Sequence, residues 1–161
     1  MNKIYGIDAK NNILKSAKRV DIVSLKMVKE NSVTYLNRVI SSPTDSAEII
    51  RNFIADSDRE QMIVCCLDTK NQPTSISIVS IGSLNSAIVH PREIFKTAIL
   101  SNSASIIIAH NHPSGNTDPS HEDIVLTNRL DEAGKIIGIK LLDHLIIGQG
   151  CYTSFKEDGL L

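Results

Sequence analysis

Hydrophobic and polar residues follow two different rhythms along this 161-residue chain. Runs with a period near two, rich in Val, Ile and Thr, predict strands, whereas apolar residues spaced three and four apart predict helices. The predicted strands are residues 20–29, 33–40, 61–68, 74–82, 105–109 and 138–148, and the predicted helices are residues 43–57, 90–100 and 121–133. This alternation of strands and helices predicts an α/β fold.

Each predicted helix carries its own boundary or packing signal. Before the first helix, Ser42 can act as a cap and Pro43 suits the first helical position. We expect the third helix to end at Gly134, because glycine commonly follows the last helical residue. The second helix places four apolar side chains on one face, and these are Ile94, Phe95, Ala98 and Ile99.

The central strands have distinct patterns. The turn sequence TKNQP separates strands 61–68 and 74–82, so these two are expected to form a hairpin. The run SIIIA at 105–109 is continuously apolar, which is typical of a strand that is buried on both faces. The chain leaves this buried strand directly into the polar segment HNHPSGNTDPSHED.

The hydrophobic content and the cysteines limit the classes of protein to which the chain can belong. At 42% hydrophobic residues the chain can bury one core, and no run approaches the ~20 apolar residues of a membrane span. The start of the chain lacks a leader pattern. Of the three cysteines, Cys65 and Cys66 are adjacent in an apolar run, where a mutual disulfide would be strained. We therefore expect a reduced, cytoplasmic protein with no membrane partner.

The charge is unevenly distributed although the formal net charge is only -1. Residues 1–40 carry eight Lys or Arg against three acids, while the rest of the chain carries nine against fifteen. A basic head can bind the phosphates of a nucleic acid. It can equally be an exposed edge strand, where lysines discourage aggregation. Three Tyr, three Phe and no Trp give little support for stacking on single-stranded nucleic acid.

The segment after the buried strand carries the candidate chemistry. His110 and His112 stand two apart at the strand end, so an extended backbone points both imidazoles to one side. Prolines and a glycine then force an irregular loop, which lets the chain return and bring Asp123 to the histidines. Two imidazoles and one carboxylate, with a fourth position open to water, are the ligand set of a catalytic zinc site.

Each of these residues also has a simpler interpretation. Ser120 and Asp123 have the spacing of a helix capping pair, and a single histidine at a strand end is more often a hydrogen-bonded loop residue. The joint pattern favours the metal site, since its spacing should arise by chance on the order of once in a thousand such chains.

The motif H-x-H-x7-S-x-x-D in HNHPSGNTDPSHED matches that of JAMM (MPN-type) metalloproteases. Together with LDTKN, LNSAIVHPREIFK, EAGKIIGIKLLDHLIIG and YTSFKEDGLL, it makes residues 42–161 resemble the RadC family. The resemblance implies a curved mixed β-sheet flanked by helices, an architecture like that of cytidine deaminases. Residues 1–41 are then expected to form a basic N-terminal strand region packed on or preceding this domain. No counterpart of the helix-hairpin-helix region of longer RadC proteins is visible, so we expect a short, single-domain form.

The resemblance also implies residue roles. His110, His112 and Asp123 become ligands of Zn²⁺, and Ser120 becomes a donor to the oxyanion. The family places a glutamate upstream, near the start of a core strand, where it holds the reacting water and moves its proton. Glu60 occupies such a position.

Glu93 is the rival for the role of general base, but its place after a proline on a predicted helix also suits a helix N-terminus. Asp143 and His144 are adjacent in a predicted strand and point to opposite faces, which argues against both being ligands. One of them can instead orient a ligand imidazole through a hydrogen bond.

The function implied by the resemblance is zinc-dependent hydrolysis of peptide or isopeptide bonds by metal-activated water, with a peptide or protein as substrate. Two alternatives stay open. One is an MPN-type scaffold without a working metal site, and the other is an accessory protein in DNA repair or mobile-element biology, which the family name and the basic head suggest. Metal content separates the first alternative from the enzyme, and salt-dependent binding to DNA would support the second.

Overall fold

The structure is a computed structural model that describes residues 20–36, 38–54, 57–82 and 89–161. Its elements are α1 (Pro43–Ile54), β1 (Gln61–Leu67), β2 (Pro73–Ile81), α2 (Pro91–Leu100), β3 (Ser105–Asn111), α3 (His121–Ile137), β4 (Lys140–Ile147) and β5 (Tyr152–Ser154). The expected strand and helix pattern from residue 43 onwards is thus confirmed in its main elements.

The five strands form one mixed sheet in the order β2-β1-β3-β4-β5. β1 is antiparallel to both β2 and β3, which confirms the predicted hairpin. β3 and β4 are parallel and are connected through α3, as a parallel pair requires. The helices α1, α2 and α3 flank the sheet, so the expected α/β fold with a mixed sheet is confirmed.

Both faces of the sheet are covered. Side chains alternate along β1, so Ile63 and Cys65 pack in the cluster that includes α1, while Val64 and Cys66 pack in the cluster that includes α2 and α3. Every residue of β3 is buried, as the continuous apolar run predicted. β3 is therefore a fully buried central strand, and its carboxyl end carries the candidate site.

The boundaries of two helices differ from the prediction. α1 ends at Ile54 rather than at 57, although residues 55–56 lie outside the described part. α3 continues past Gly134 to Ile137 and is ended by Gly138, whose φ of 81° is left-handed. Position 134 requires a glycine for a steric reason instead, because a Cβ there would lie 2.5 Å from the carbonyl oxygen of Ile139. The assignment of Gly134 as the helix end was wrong.

Two further details were not anticipated. Ile99 is 54% exposed, because it lies at the edge of the apolar face of α2 that Ile94, Phe95 and Ala98 bury. The short strand β5 pairs with the end of β4 and was missed, since three residues are too few to show alternation.

The two strands predicted before α1, residues 20–29 and 33–40, are absent from the described residues of that region. Ile22 is 92% exposed and Leu36 is 97% exposed. Alternating β-branched residues favour an extended backbone, but a strand also needs a partner, and no ladder pairs with described residues 20–36 or 38–41. The edge-strand explanation of the basic head fails for these residues. Residues 1–19 and 37 lie outside the described part, and the division into regions 1–41 and 42–161 stays a prediction.

Within the described ranges, none of the helices is both long enough and apolar enough to cross a membrane.

Candidate metal centre

β3 and the residue beyond it deliver the two histidines. His110 is fully buried near the end of β3, between β1 and β4, and His112 follows directly after the strand. Their Nε2 atoms lie 3.0 Å apart. The expectation that an extended backbone points both imidazoles to the same side is confirmed.

The loop after β3 holds the second imidazole. His112 Nδ1 lies 2.7 Å from the carbonyl oxygen of Asn116, and the amide of Gly115 donates to the carbonyl of His112. The loop packs closely on Gly148, where a Cβ would come within 2.7 Å of the carbonyl oxygen of Gly115. Close packing against the end of β4 therefore determines where the imidazole of His112 lies.

The first turn of α3 delivers the carboxylate. Ser120 is the N-cap and forms a capping box with Asp123: the serine hydroxyl accepts from the amide of Asp123, whose Oδ2 accepts from the serine amide at 2.9 Å and hydroxyl at 2.6 Å. The capping interpretation of this pair is confirmed. The same carboxylate also reaches the histidines, with 3.3 Å from Oδ1 to His110 Nε2 and 3.8 Å from Oδ2 to His112 Nε2.

The donor set fits a metal ion. The carbonyl of Asn116 can only accept, so His112 Nδ1 must donate to it, and a neutral imidazole then has a lone pair on Nε2. This lone pair faces His110 and Asp123. One ligand atom from each of His110, His112 and Asp123 lies within 4.8 Å of the others, so these residues could hold a metal ion. Two imidazoles and a carboxylate suit zinc with an open position.

Electrostatics keep the carboxylate ionised. Burial on its own raises the pKa of Asp123, but the contact with His110 and the hydrogen bonds from Ser120 lower the pKa by more, so it lies well below its ordinary value. The carboxylate of Asp123 is therefore anionic at neutral pH.

Behind His110 lies a second buried histidine. His144 Nε2 is 2.8 Å from His110 Nδ1, and the ring of His144 stacks on Phe155. Burial above all, and then the charge of His110, lowers the pKa of His144 well below its ordinary value.

The side chain of Asp143 points away from the histidines and accepts hydrogen bonds from Ser154 Oγ and the amide of Lys156. The expected hydrogen bond between one member of this adjacent pair and the imidazole of His110 is therefore present, while the role of His110 as a metal ligand stays a prediction.

The two glutamates considered as general base lie in different environments. Glu60 is partly buried and immediately precedes β1, and its carbonyl accepts from the amide of Gly82. The neighbouring Met62 of β1 pairs with His110 of β3, which puts this segment beside the histidines. Glu93 forms exposed ion pairs on α2 with Lys96 at 2.9 Å and Arg92 at 3.4 Å, and these lower its pKa.

Two residues of the site were missed in the sequence. The side chain of Asn111 accepts from the amide of Gln61 at 2.8 Å and donates to the carbonyls of Arg59 at 3.0 Å and Ser57 at 3.5 Å. It thereby fastens the segment that carries Glu60 to β3. The only signal for Asn111 in the sequence was its position as a polar residue between His110 and His112.

Thr127 is the second missed residue, and it contacts both Asp123 and His144. Its spacing of four from Asp123 indicated only that the two lie on the same face of α3.

A mixed sheet that presents two histidines at the end of its central strand, and an aspartate from the following helix, defines an α/β domain of the JAB type. A comparison with protein families matches residues 40–160 to the RadC-like JAB domain. The chain belongs to this family.

Similar proteins carry the name UPF0758. One from Methanosarcina barkeri is 43% identical over 99% of this chain and 68% of its own length. One from Methanosarcina mazei is 46% identical over 91% of this chain and 64% of its own length. One from Rubrobacter xylanophilus is 52% identical over 76% of this chain and 54% of its own length. The matched part thus spans about half to two thirds of these relatives.

Proposed function

We propose that the protein is a zinc-dependent hydrolase of peptide or isopeptide bonds. The observation that carries this proposal is the convergence of two imidazole nitrogens and an ionised carboxylate from His110, His112 and Asp123. Such a set needs a cation to balance its lone pairs and charge, and its three ligands leave a coordination position for a reacting group. Membership of the RadC-like JAB family supports the same chemistry.

Zinc, when bound, would lower the pKa of a water molecule and polarise the carbonyl of the substrate. The protein's own residues would do the rest. Glu60 would accept the proton of the attacking water and return it to the leaving amine. Its segment is fastened to β3 through Asn111, next to both histidines, which supports this assignment over Glu93.

Ser120 would donate a hydrogen bond to the oxyanion that develops on the substrate. Its hydroxyl donates to Asp123 Oδ2 at 2.6 Å. The role therefore requires this hydroxyl to rotate from the carboxylate to the substrate during the reaction.

The test combines elemental analysis of the purified protein with cleavage of peptide and isopeptide libraries. The wild type should contain about one zinc per chain and cleave a substrate, whereas Asp123→Ala should lose both properties. Glu60→Gln should retain zinc and lose turnover, because the amide cannot accept the proton. Glu93→Gln is the matched control and should be active.

Zinc content without an effect of Glu60→Gln on cleavage would exclude Glu60 as the base. A wild type with neither zinc nor cleavage would favour the alternative of an MPN-type scaffold. A role in DNA repair or mobile-element biology and a cytoplasmic location stay predictions, as do the substrate and partners of the whole protein.

A further inference from the structure

Three buried side chains form a continuous hydrogen-bonded chain behind the metal centre. Thr127 Oγ1 lies 2.7 Å from the carbonyl oxygen of Asp123 and 2.6 Å from His144 Nδ1. His144 Nε2 lies 2.8 Å from His110 Nδ1. Thr127, His144 and His110 are all fully buried, so water does not compete for these contacts.

The direction of each hydrogen bond follows from the chemistry of its ends. A carbonyl oxygen cannot donate, so the single hydroxyl proton of Thr127 points to Asp123. The oxygen of Thr127 must therefore accept from His144, whose Nδ1 carries the proton. A neutral imidazole has one N–H, which leaves Nε2 of His144 as an acceptor.

The hydrogen bond between His144 and His110 then determines the tautomer of His110. Since His144 Nε2 accepts, the proton between the two rings belongs to His110 Nδ1. His110 in its neutral form then has its lone pair on Nε2, the nitrogen that faces His112 and Asp123. Within the described part of the chain, no carboxylate forms a hydrogen bond with the ring of His144, so its complete burial favours the neutral ring.

We propose that Thr127 and His144 are positioning residues that hold His110 in the tautomer with a proton on Nδ1 and a lone pair on Nε2 for the metal. Thr127 also ties this arrangement to the backbone of Asp123. One hydroxyl thus aligns two ligands that come from different elements, β3 and α3. The part of the inference that concerns metal affinity rests on the proposed function, whereas the tautomers do not.

We call the hydrogen-bonded chain from Thr127 through His144 to His110 the relay. Its polar groups are not needed simply to fill the core. Valine has nearly the volume of threonine, and phenylalanine has a ring like that of histidine, so an apolar pair would fill the same space without burying polar groups. Outer contacts of this kind typically change metal affinity by about 10 to 100-fold.

The experiment uses the full chain with Thr127→Val, which removes the hydroxyl, and Thr127→Ser, which retains it. ¹⁵N NMR of the imidazoles in the metal-free wild type should show His144 protonated on Nδ1 and bare on Nε2, with a proton on His110 Nδ1. Thr127→Val should change the tautomer population of His144, and Thr127→Ser should restore it. His144→Phe should remove the hydrogen-bonded Nδ1 proton signal of His110.

Titration with zinc against a competing chelator gives a second readout. Thr127→Val and His144→Phe should weaken zinc binding by about 10 to 100-fold, while Thr127→Ser stays close to wild type. Thermal unfolding shows which variants are folded. The NMR spectrum of the wild type tests the tautomers of His110 and His144 even if a variant does not fold. His144 protonated on Nε2 in the wild type would overturn the relay, as would unchanged zinc affinity in a folded Thr127→Val. If the wild type shows the expected tautomers but does not bind zinc, the proposed function fails and the hydrogen-bonded relay stands.

Discussion

His110 and His112 present their Nε2 atoms to each other at 3.0 Å, and Asp123 approaches both of them. The other nitrogen of each ring is engaged elsewhere, by His144 and by the carbonyl of Asn116. The lone pairs of the two Nε2 atoms and the carboxylate of Asp123 therefore face one another. The stability of this arrangement should depend on a cation.

The first prediction concerns stabilisation by zinc. Under the proposed function, zinc would bind the folded site and not an unfolded chain, so zinc at 100 times its Kd should stabilise the wild type by about 2.7 kcal/mol and raise its Tm. Asp123→Ala should show little of this increase. Glu122→Gln, which removes an exposed acid from the same helical turn, is the control and should respond like the wild type. Thermal unfolding with and without zinc measures the effect, and an equal increase in Asp123→Ala would argue against this ligand.

A second prediction tests the role of Gly134. Alanine is normally the better helix former, but a Cβ at this position would lie 2.5 Å from the backbone oxygen of Ile139 and 3.3 Å from Phe95. We expect Gly134→Ala to lower the free energy of unfolding by about 1–3 kcal/mol. Asn128→Ala at an exposed position of the same helix should change it by less than about 0.5 kcal/mol. Urea unfolding compares the two, and a stabilised Gly134→Ala would contradict the close approach.

A third prediction concerns the segment that carries Glu60. Asn111→Ala removes three partly buried hydrogen bonds to residues 57–61 and should cost about 1–3 kcal/mol of unfolding free energy. Amide hydrogen exchange in that segment should become faster, and hydrolysis should fall while zinc is retained. Asn52→Ala, which removes an exposed contact within α1, is the control. Unchanged exchange in residues 57–61 would show that Asn111 does not hold them.

The thiols give a fourth prediction. Cys65 and Cys66 are buried and unpaired, whereas Cys151 is exposed, so a thiol reagent should modify one thiol per native chain and three in denaturant. Burial first, and then the charge of Cys66, raises the pKa of Cys65 from 9.0 to about 12. Rapid reaction of all three thiols in the folded protein would contradict this burial.

The sign of the pH effect follows from the raised pKa of Cys65. The unfolded thiol ionises near its ordinary pKa of 9.0, whereas the folded thiol stays neutral up to about 12. The contribution of the neutral thiol to stability is thus complete below pH 9.0 and is lost as the pH rises towards 12. The fall in unfolding free energy over this range should be shallower in Cys65→Ala, as measured by urea unfolding at each pH.

The sequence by itself determined what depends on neighbouring residues. The start of α1 at Pro43, the β1–β2 hairpin and the buried strand β3 follow from local periodicity and turn residues. The ligand spacing was equally local, since two residues at a strand end and one in the first turn of the next helix bring His110, His112 and Asp123 together.

Only the tertiary structure decided features that depend on distant partners. Residues 20–36 have strand-like alternation, but a strand requires a neighbouring edge, and the periodicity carries no information on whether one is available. Gly134 is constrained by a carbonyl that reaches it only after the chain has turned at Gly138. The contacts of Asn111 with Gln61 and of His144 with His110 join positions 50 and 34 residues apart. Such hydrogen bonds exist because the sheet places these strands side by side, and no local pattern encodes that placement.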